Sequence, residues 1–309
     1  MDSNGRYFLI VIFLLLGFSL QAQRPVIGIV ASGYRAPGGG TCTGTDLDGN
    51  AWDADACTFI TITGITDATQ KTAVNYLAIN LKSNSLWTLA DAIYPVVGGN
   101  ATAHSYNLKN TAAFQLTFSG GWTHSATGML PNGSTGYANT GWIPSVQSDP
   151  TSKTASGALY LRTDVNGTYV DMGAKDASNY YFQIFGSFGY NFYGQPNENN
   201  RTPETISVSA APGSRGFFLI NRVDVNNTFI QWNTTQSSLF YSFPTTDAAA
   251  PTVSVYLGAE NVSGTPTFFS PREIAFAWLG KSLTTTQANT LQSIIQTFEF
   301  KLSRQITLP

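Results

Sequence analysis

The sequence predicts an all-β protein, an antiparallel jelly-roll sandwich over residues 96–309, preceded by a helical hairpin over 53–95 and closed by a C-terminal helix. Three observations carry this. Short runs rich in aromatic and β-branched residues, separated by Gly, Asn, Pro and Asp, recur from Val96 onward. Between Asp53 and Tyr94 the apolar residues change to helical spacing. A last apolar stripe at helical spacing follows Thr284.

Residues 1–22 carry Arg6, an apolar run of fourteen from Tyr7 to Leu20, and a small residue at Ala22. A membrane span needs about 20 apolar residues. The pattern is therefore that of a secretory signal peptide cut after Ala22, or of an uncleaved N-terminal anchor. Both readings make the protein exported or membrane-associated, in the extracellular space or on a cell surface. Residues 23–52 are rich in Gly, Pro and Thr and read as a flexible arm. Cys42 and Cys57 are the only cysteines, and an even count in an exported chain favours one disulfide. Within the loop, Asp46, Asp48, Asn50 and Asp53 are weak calcium candidates. They lack the Gly and Glu positions of an EF-hand, and no other cofactor is expected. Asp53 and Asp55 also suit the start of a helix.

Asp67 with Gln70 three residues on reads as a capping box, and Val74, Leu77, Ala78 and Leu81 share one face. A second helical piece is expected over Leu86, Leu89, Ala90 and Ile93, stopped by Pro95. Strands follow at Phe114–Phe118, Ala158–Arg162, Tyr180–Phe185, Phe188–Tyr193, Thr205–Val208, Phe217–Val223, Thr228–Trp232, Val253–Leu257 and Ile274–Leu279. In the last helix Leu291, Ile294, Ile295, Phe298 and Leu302 form the stripe, behind a Thr284–Gln287 start.

Three stretches add a resemblance. Leu130–Gly141, Phe217–Trp232 and Ile274–Thr284 look like an opening strand, a hairpin and a closing strand of concanavalin A-like, laminin-G-like jelly rolls. With Gly64–Gln70, Leu86–Thr88, Ala92–Gly99 and Ser119–Ser125, the chain from 53 to 309 resembles virion, fibre or spike proteins of Bacteroidetes phages and prophages. The resemblance implies partners that are other virion proteins and further copies of the chain, in a cyclic assembly such as a trimer.

Charge narrows the chemistry. Only 11% of residues are charged and the net charge is -2, so nucleic acid is excluded as a main partner. The five glutamates, at 198, 204, 260, 273 and 299, show no paired spacing of the kind glycoside hydrolysis needs. His104 and His124 are the only histidines, and His124 reads as a turn residue on the sheet rim. No Gly-x-Ser-x-Gly elbow or phosphate loop is present. The expectation is a non-enzymatic virion or surface adhesion protein binding a glycan or another receptor. The alternatives are a secreted carbohydrate-binding module and, further off, a glycan-active enzyme. Aromatic faces that stack on sugar rings are sought at Trp122, Tyr137 and Trp142, and at Tyr190 and Tyr193 beside an Asn-rich loop that contains Asn197. Trp232 and Trp278 lie within strands and read as core.

Overall fold

The computed structural model describes residues 42–188, 191–199, 204–207, 213–233, 238–244 and 248–306. The expected signal segment, most of the arm, and Tyr190 lie outside these residues. Among the described residues no helix is long and apolar enough to cross a membrane.

In chain order the elements begin with α1 (Ala54–Thr63), α2 (Ala68–Ser83), β1 (Ala90–Tyr94), α3 (Ala101–Ser105), β2 (Thr117–Ser119), β3 (Trp122–Ser125), β4 (Gly128–Pro131) and β5 (Tyr137–Asn139). Then come α4 (Pro144–Gln147), β6 (Ala155–Leu161), β7 (Met172–Lys175), β8 (Tyr180–Phe188), β9 (Asn191–Asn199), β10 (Glu204–Ser207), β11 (Gly216–Arg222) and β12 (Asn227–Asn233). The chain finishes with β13 (Ser238–Pro244), β14 (Tyr256–Leu257), β15 (Glu260–Val262), β16 (Thr265–Thr267), β17 (Ile274–Gly280) and α5 (Thr285–Lys301).

The strands form a sandwich of two sheets, mostly antiparallel. The first runs β13-β12-β11-β6-β17-β4-β3, with β1 also on β17; the second runs β10-β9-β8-β7-β14-β5-β2, with β15 and β16 attached at β7. One core lies between the sheets and includes Leu159, Phe182, Ile184, Phe192, Phe218, Ile220 and Leu279. A second core lies between the other face of the first sheet and the helices, and includes Tyr160, Phe217, Leu219 and Trp278 with Phe59, Leu77, Leu291, Ile295 and Phe298. Every residue of β6, β11 and β17 is therefore buried. That is why these strands read as continuous apolar runs rather than as clean alternation.

Local chemistry fixes the helices. Asp53 caps α1 by accepting from the amides of Asp55 and Ala56, and Gly64 ends it at φ 68°. Asp67 caps α2 by accepting from the Gln70 amide, but the expected reciprocal bond is absent: the Gln70 side chain accepts from Gly98 N at 2.7 Å instead. Thr284 and Gln287 do form a capping box at α5. The buried α5 stripe is worth about 1.5–3 kcal/mol for each fully buried Leu, Ile or Phe.

Three expectations need correction. Residues 86–93 are not a second helix; a single 3-10 turn at Trp87–Leu89 leads into β1, which pairs with Gly280–Ala277 of β17. Ser85 at φ 58° breaks the helical path, and a vacant edge on β17 outweighs helical spacing in so short a segment. Residues 42–52 of the expected flexible arm form a mostly exposed loop that is tied down by side chains. Cys42 is bonded to Cys57 with Cα atoms 5.9 Å apart, and Asn75 of α2 holds Asp53 N, Ala51 O and Asp46 Oδ2. The calcium candidates do not converge. Asp46 accepts from the amides of Asp48 and Asn50, Asp53 pairs with Lys82 at 2.7 Å, and Asp48 pairs with Lys301 at 2.6 Å. Burial pushes the Asp46 carboxyl up, but the bonds from Asn75, Asn50 and Asp48 together hold it below the usual carboxylate range.

Candidate functional site: the outward face of the second sheet

Helices cover the outward face of the first sheet, which leaves the outward face of the second sheet as the surface with side-chain chemistry to offer. Alternation identifies its residues. Met172, Ala174, Phe182, Ile184, Phe192, Leu257 and Ala138 point into the inter-sheet core. Gly173, Lys175, Tyr181, Gln183, Phe185, Tyr193, Gln195, Tyr256, Tyr137 and Asn139 therefore point outward.

Register groups these side chains. Tyr193 lies opposite Phe185, and their rings meet edge to face with centroids 6.3 Å apart. Gln195 lies opposite Gln183, which donates to it through Nε2, and Gln183 lies opposite Gly173. Tyr256 also lies opposite Gly173 and, on its other side, opposite Asn139. Two residues before Asn139, Tyr137 stacks on Tyr256 with centroids 4.7 Å apart and ring planes 25° apart. Lys175 holds its ammonium 5.0 Å from the Tyr181 ring centroid. The flanks (Tyr137, Asn139, Lys175, Tyr181, Phe185 and Tyr193) are half-buried, whereas Gln183, Gln195 and Glu260 form a buried polar floor.

Gly173 shapes that floor. A Cβ there would lie 2.6 Å from Val170 Cγ1, 3.1 Å from Glu260 Cα and 3.2 Å from Glu260 Cγ. The missing side chain is what lets β15 lean over β7 and bring Glu260 beside Gln183. Gln183 Oε1, Glu260 Oε1 and Thr267 Oγ1 are buried with no hydrogen-bond partner, and Thr267 lies opposite Glu260 in the β15–β16 pair. Burial pushes the Glu260 carboxyl up to about 7 against the opposing charge of Lys175, so near neutral pH it is a donor as much as an acceptor.

Of the expected platform residues, the structure brings two together. The Trp122 indole N–H donates to Ser119 O at 3.1 Å and Tyr137 O at 3.2 Å, and its half-buried ring stacks on His124 and meets the edge of Phe118. Trp122 thus belongs to β3 of the first sheet, packs against the inter-sheet core and meets Tyr137 only at its backbone carbonyl, whereas Tyr193 stands with the Tyr137 ring on the outward face of the second sheet, farther along it. Trp142 is a correction. It is fully buried between the sheets and its N–H donates to Asp91 Oδ2 at 3.0 Å, so it is core. Asn197 is also a correction. It is fully buried at φ 56°, and its Nδ2 donates to Ser148 Oγ and Lys153 O, so it fixes the backbone rather than a ligand. His124 sits within β3 rather than in a turn, and its Nδ1 lies 2.9 Å from that of His104. Sequence reasoning missed Tyr256, although its place between Val255 and Leu257 in an alternating run marks it as outward-facing.

No family model and no curated protein matches the chain. Among solved structures it is similar to domain 4 of AbnA, an extracellular arabinanase from Geobacillus stearothermophilus in complex with arabinotriose. That match has 14% identity and a TM-score of 0.41, and covers 66% of this chain and 98% of the other. It is also similar to the CBM40 of a Ruminococcus gnavus IT-sialidase bound to α2,3-sialyllactose, at 11% identity and a TM-score of 0.36, covering 46% of this chain and 83% of the other. A third is tailspike protein 2 of an Escherichia coli O157:H7 bacteriophage, at 9% identity and a TM-score of 0.34, covering 56% of this chain and 25% of the other. All three scores are too low to transfer a function, and the sandwich rests on the strand pairings above.

Proposed function

We propose that the protein is a non-enzymatic adhesion or structural protein, displayed on a virion or cell surface, that binds a glycan on the outward face of its second sheet. The observation that supports this most is the set of half-buried rings, Tyr137, Tyr181, Phe185 and Tyr193, standing around an amide-rich floor on the one sandwich face that helices do not cover. Aromatic faces take the C–H surfaces of sugar rings, while Asn139 and Lys175 are placed to meet hydroxyl groups. The scarcity of charge fits a neutral, hydroxylated partner. Assembly into a cyclic oligomer belongs to the same reading and rests on the resemblance to spike and fibre proteins.

The test is titration of immobilised glycans with the intact protein and with Tyr137→Ala and Tyr193→Ala. Binding that weakens about tenfold in either variant supports the face, by analogy with the ~1–3 kcal/mol a stacking ring contributes. Glycan binding unaffected by both substitutions would sink it. Release of reducing sugar from a bound polysaccharide would overturn the non-enzymatic reading.

A further inference from the structure

The two strand runs of the sandwich end in four outer strands, and three of these are short. β2 has three residues, β3 and β10 have four each, and β10 begins with the charged Glu204. Short or charged outer strands are the usual protection against pairing with another chain. β13 is the exception, with seven residues, Ser-Leu-Phe-Tyr-Ser-Phe-Pro, and no charge. Among the described residues β12 is its only strand partner.

Register shows what this outer strand offers. Leu239, Tyr241 and Phe243 lie opposite Trp232, Ile230 and Thr228 of β12, and Trp232 and Ile230 belong to the core between the sheets. The three positions therefore share the inward face of the first sheet. Phe243 packs against that core, and the Tyr241 ring stacks on Phe243 with centroids 6.3 Å apart and planes 20° apart. Tyr241 is nevertheless 47% exposed, an aromatic ring left at the side of the sandwich.

Tyr241 is also the middle residue of the strand. An antiparallel copy of the same strand can be centred on it, so that Tyr241 meets its own counterpart and Leu239 of each copy meets Phe243 of the other. Phe240 then lies opposite Ser242, and Ser238 opposite Pro244. Apolar inward positions face one another, no charge faces its like, and Pro244, which has no N–H, falls at the end of the ladder.

We propose that β13 pairs antiparallel with β13 of a second copy across a twofold axis, which joins the first sheets of the two copies into one. The partner is a second copy because the strand complements itself in reverse order, where any charge near its centre would be repelled by its own counterpart. A twofold contact builds pairs, and a ring of three would need a different surface. The interface is independent of the glycan face.

The experiment is sedimentation velocity of the full chain and of Tyr241→Lys, with oxidative cross-linking of Tyr241→Cys. The parent is expected to pass from monomer to dimer between about 1 and 100 μM, and Tyr241→Lys to weaken the dimer at least about tenfold at an unchanged melting temperature. Cys42 and Cys57 are bonded to each other, so the thiol of Tyr241→Cys is free to react across the axis, where facing residues come close enough to be bridged. It is expected to give a disulfide-linked dimer, whereas Ser293→Cys, on the exposed side of α5, is not. A parent that stays monomeric at about 100 μM overturns the assignment. So does a Tyr241→Lys protein that dimerises like the parent, or a cysteine at 241 that cross-links no faster than one at 293.

Discussion

His104 and His124, the only histidines in the chain, meet Nδ1 to Nδ1 at 2.9 Å, which couples α3 to β3. One ring must donate and the other accept. His104 Nε2 is buried without a partner, so the arrangement that strands no N–H puts the proton on His104 Nδ1 and makes His124 Nδ1 the acceptor. Doubly protonated rings cannot share this bond. Burial, then His124 and Arg304, push His104 down to about 3, and burial also lowers His124.

The pH dependence follows from that depression. As pH falls through about 6.5 the unfolded chain takes up protons that the folded chain refuses, so stability present above that pH declines toward pH 3. Each ring contributes a slope of at most about 1.4 kcal/mol per pH unit. Urea titrations between pH 4 and 8 should show this decline, and His104→Gln should flatten it. A parent whose stability is level across that range contradicts this histidine coupling.

Arg304 is the second prediction. Its guanidinium reaches Glu299 through Nε and Nη2 at 2.9 Å each, and also donates to the carbonyls of Val96, Pro95 and Ala275. Arg304→Met removes a buried charge partner and should cost about 3–5 kcal/mol, read as a lower denaturation midpoint with an unchanged slope.

Trp142→Phe separates core from platform. It leaves Asp91, already held above the usual carboxylate range by burial, without its indole donor. The expected result is a loss of about 1–3 kcal/mol in stability with glycan binding intact. Loss of binding in a protein of parental stability would restore Trp142 as a ligand contact.

Gly173→Ala should be disproportionately harmful for one added methyl. Its Cβ would press on Val170 Cγ1 at 2.6 Å and on Glu260 Cα at 3.1 Å, and overpacking of this kind costs about 1–3 kcal/mol. Thermal melting measures the cost, and a variant as stable as the parent shows that β15 does not need the close approach.

Much of the fold could be read from the sequence because its determinants are local. Asp53, Asp67 and Thr284 announce three helix starts by capping chemistry alone, and the Leu291–Ile295–Phe298 stripe needs only helical spacing. Residues 86–93 misled because β1 exists by virtue of β17, about 185 residues away, and no local signal reports a distant vacant edge. The site was less legible for the same reason. Trp122 and Tyr137 are conspicuous residues and do meet, but Trp142 is core through a hydrogen bond to Asp91, 51 residues earlier. Gln183, Glu260 and Thr267 become neighbours only through the register of four strands.

The pairing of β1 with β17 also bears on when this protein can fold. The first sheet needs residues 90–94 and 274–280 side by side, and α5 must then close over α2. Loop closure over such separations is slow, so both cores stay incomplete until residues 274–301 have been made. A ribosome-bound chain that has not yet reached β17 would hold α1 and α2 beside a first sheet that lacks the strand joining β6 to β4 and β1. Nascent copies are therefore vulnerable to proteases until β17 and α5 emerge, and become resistant cooperatively after that.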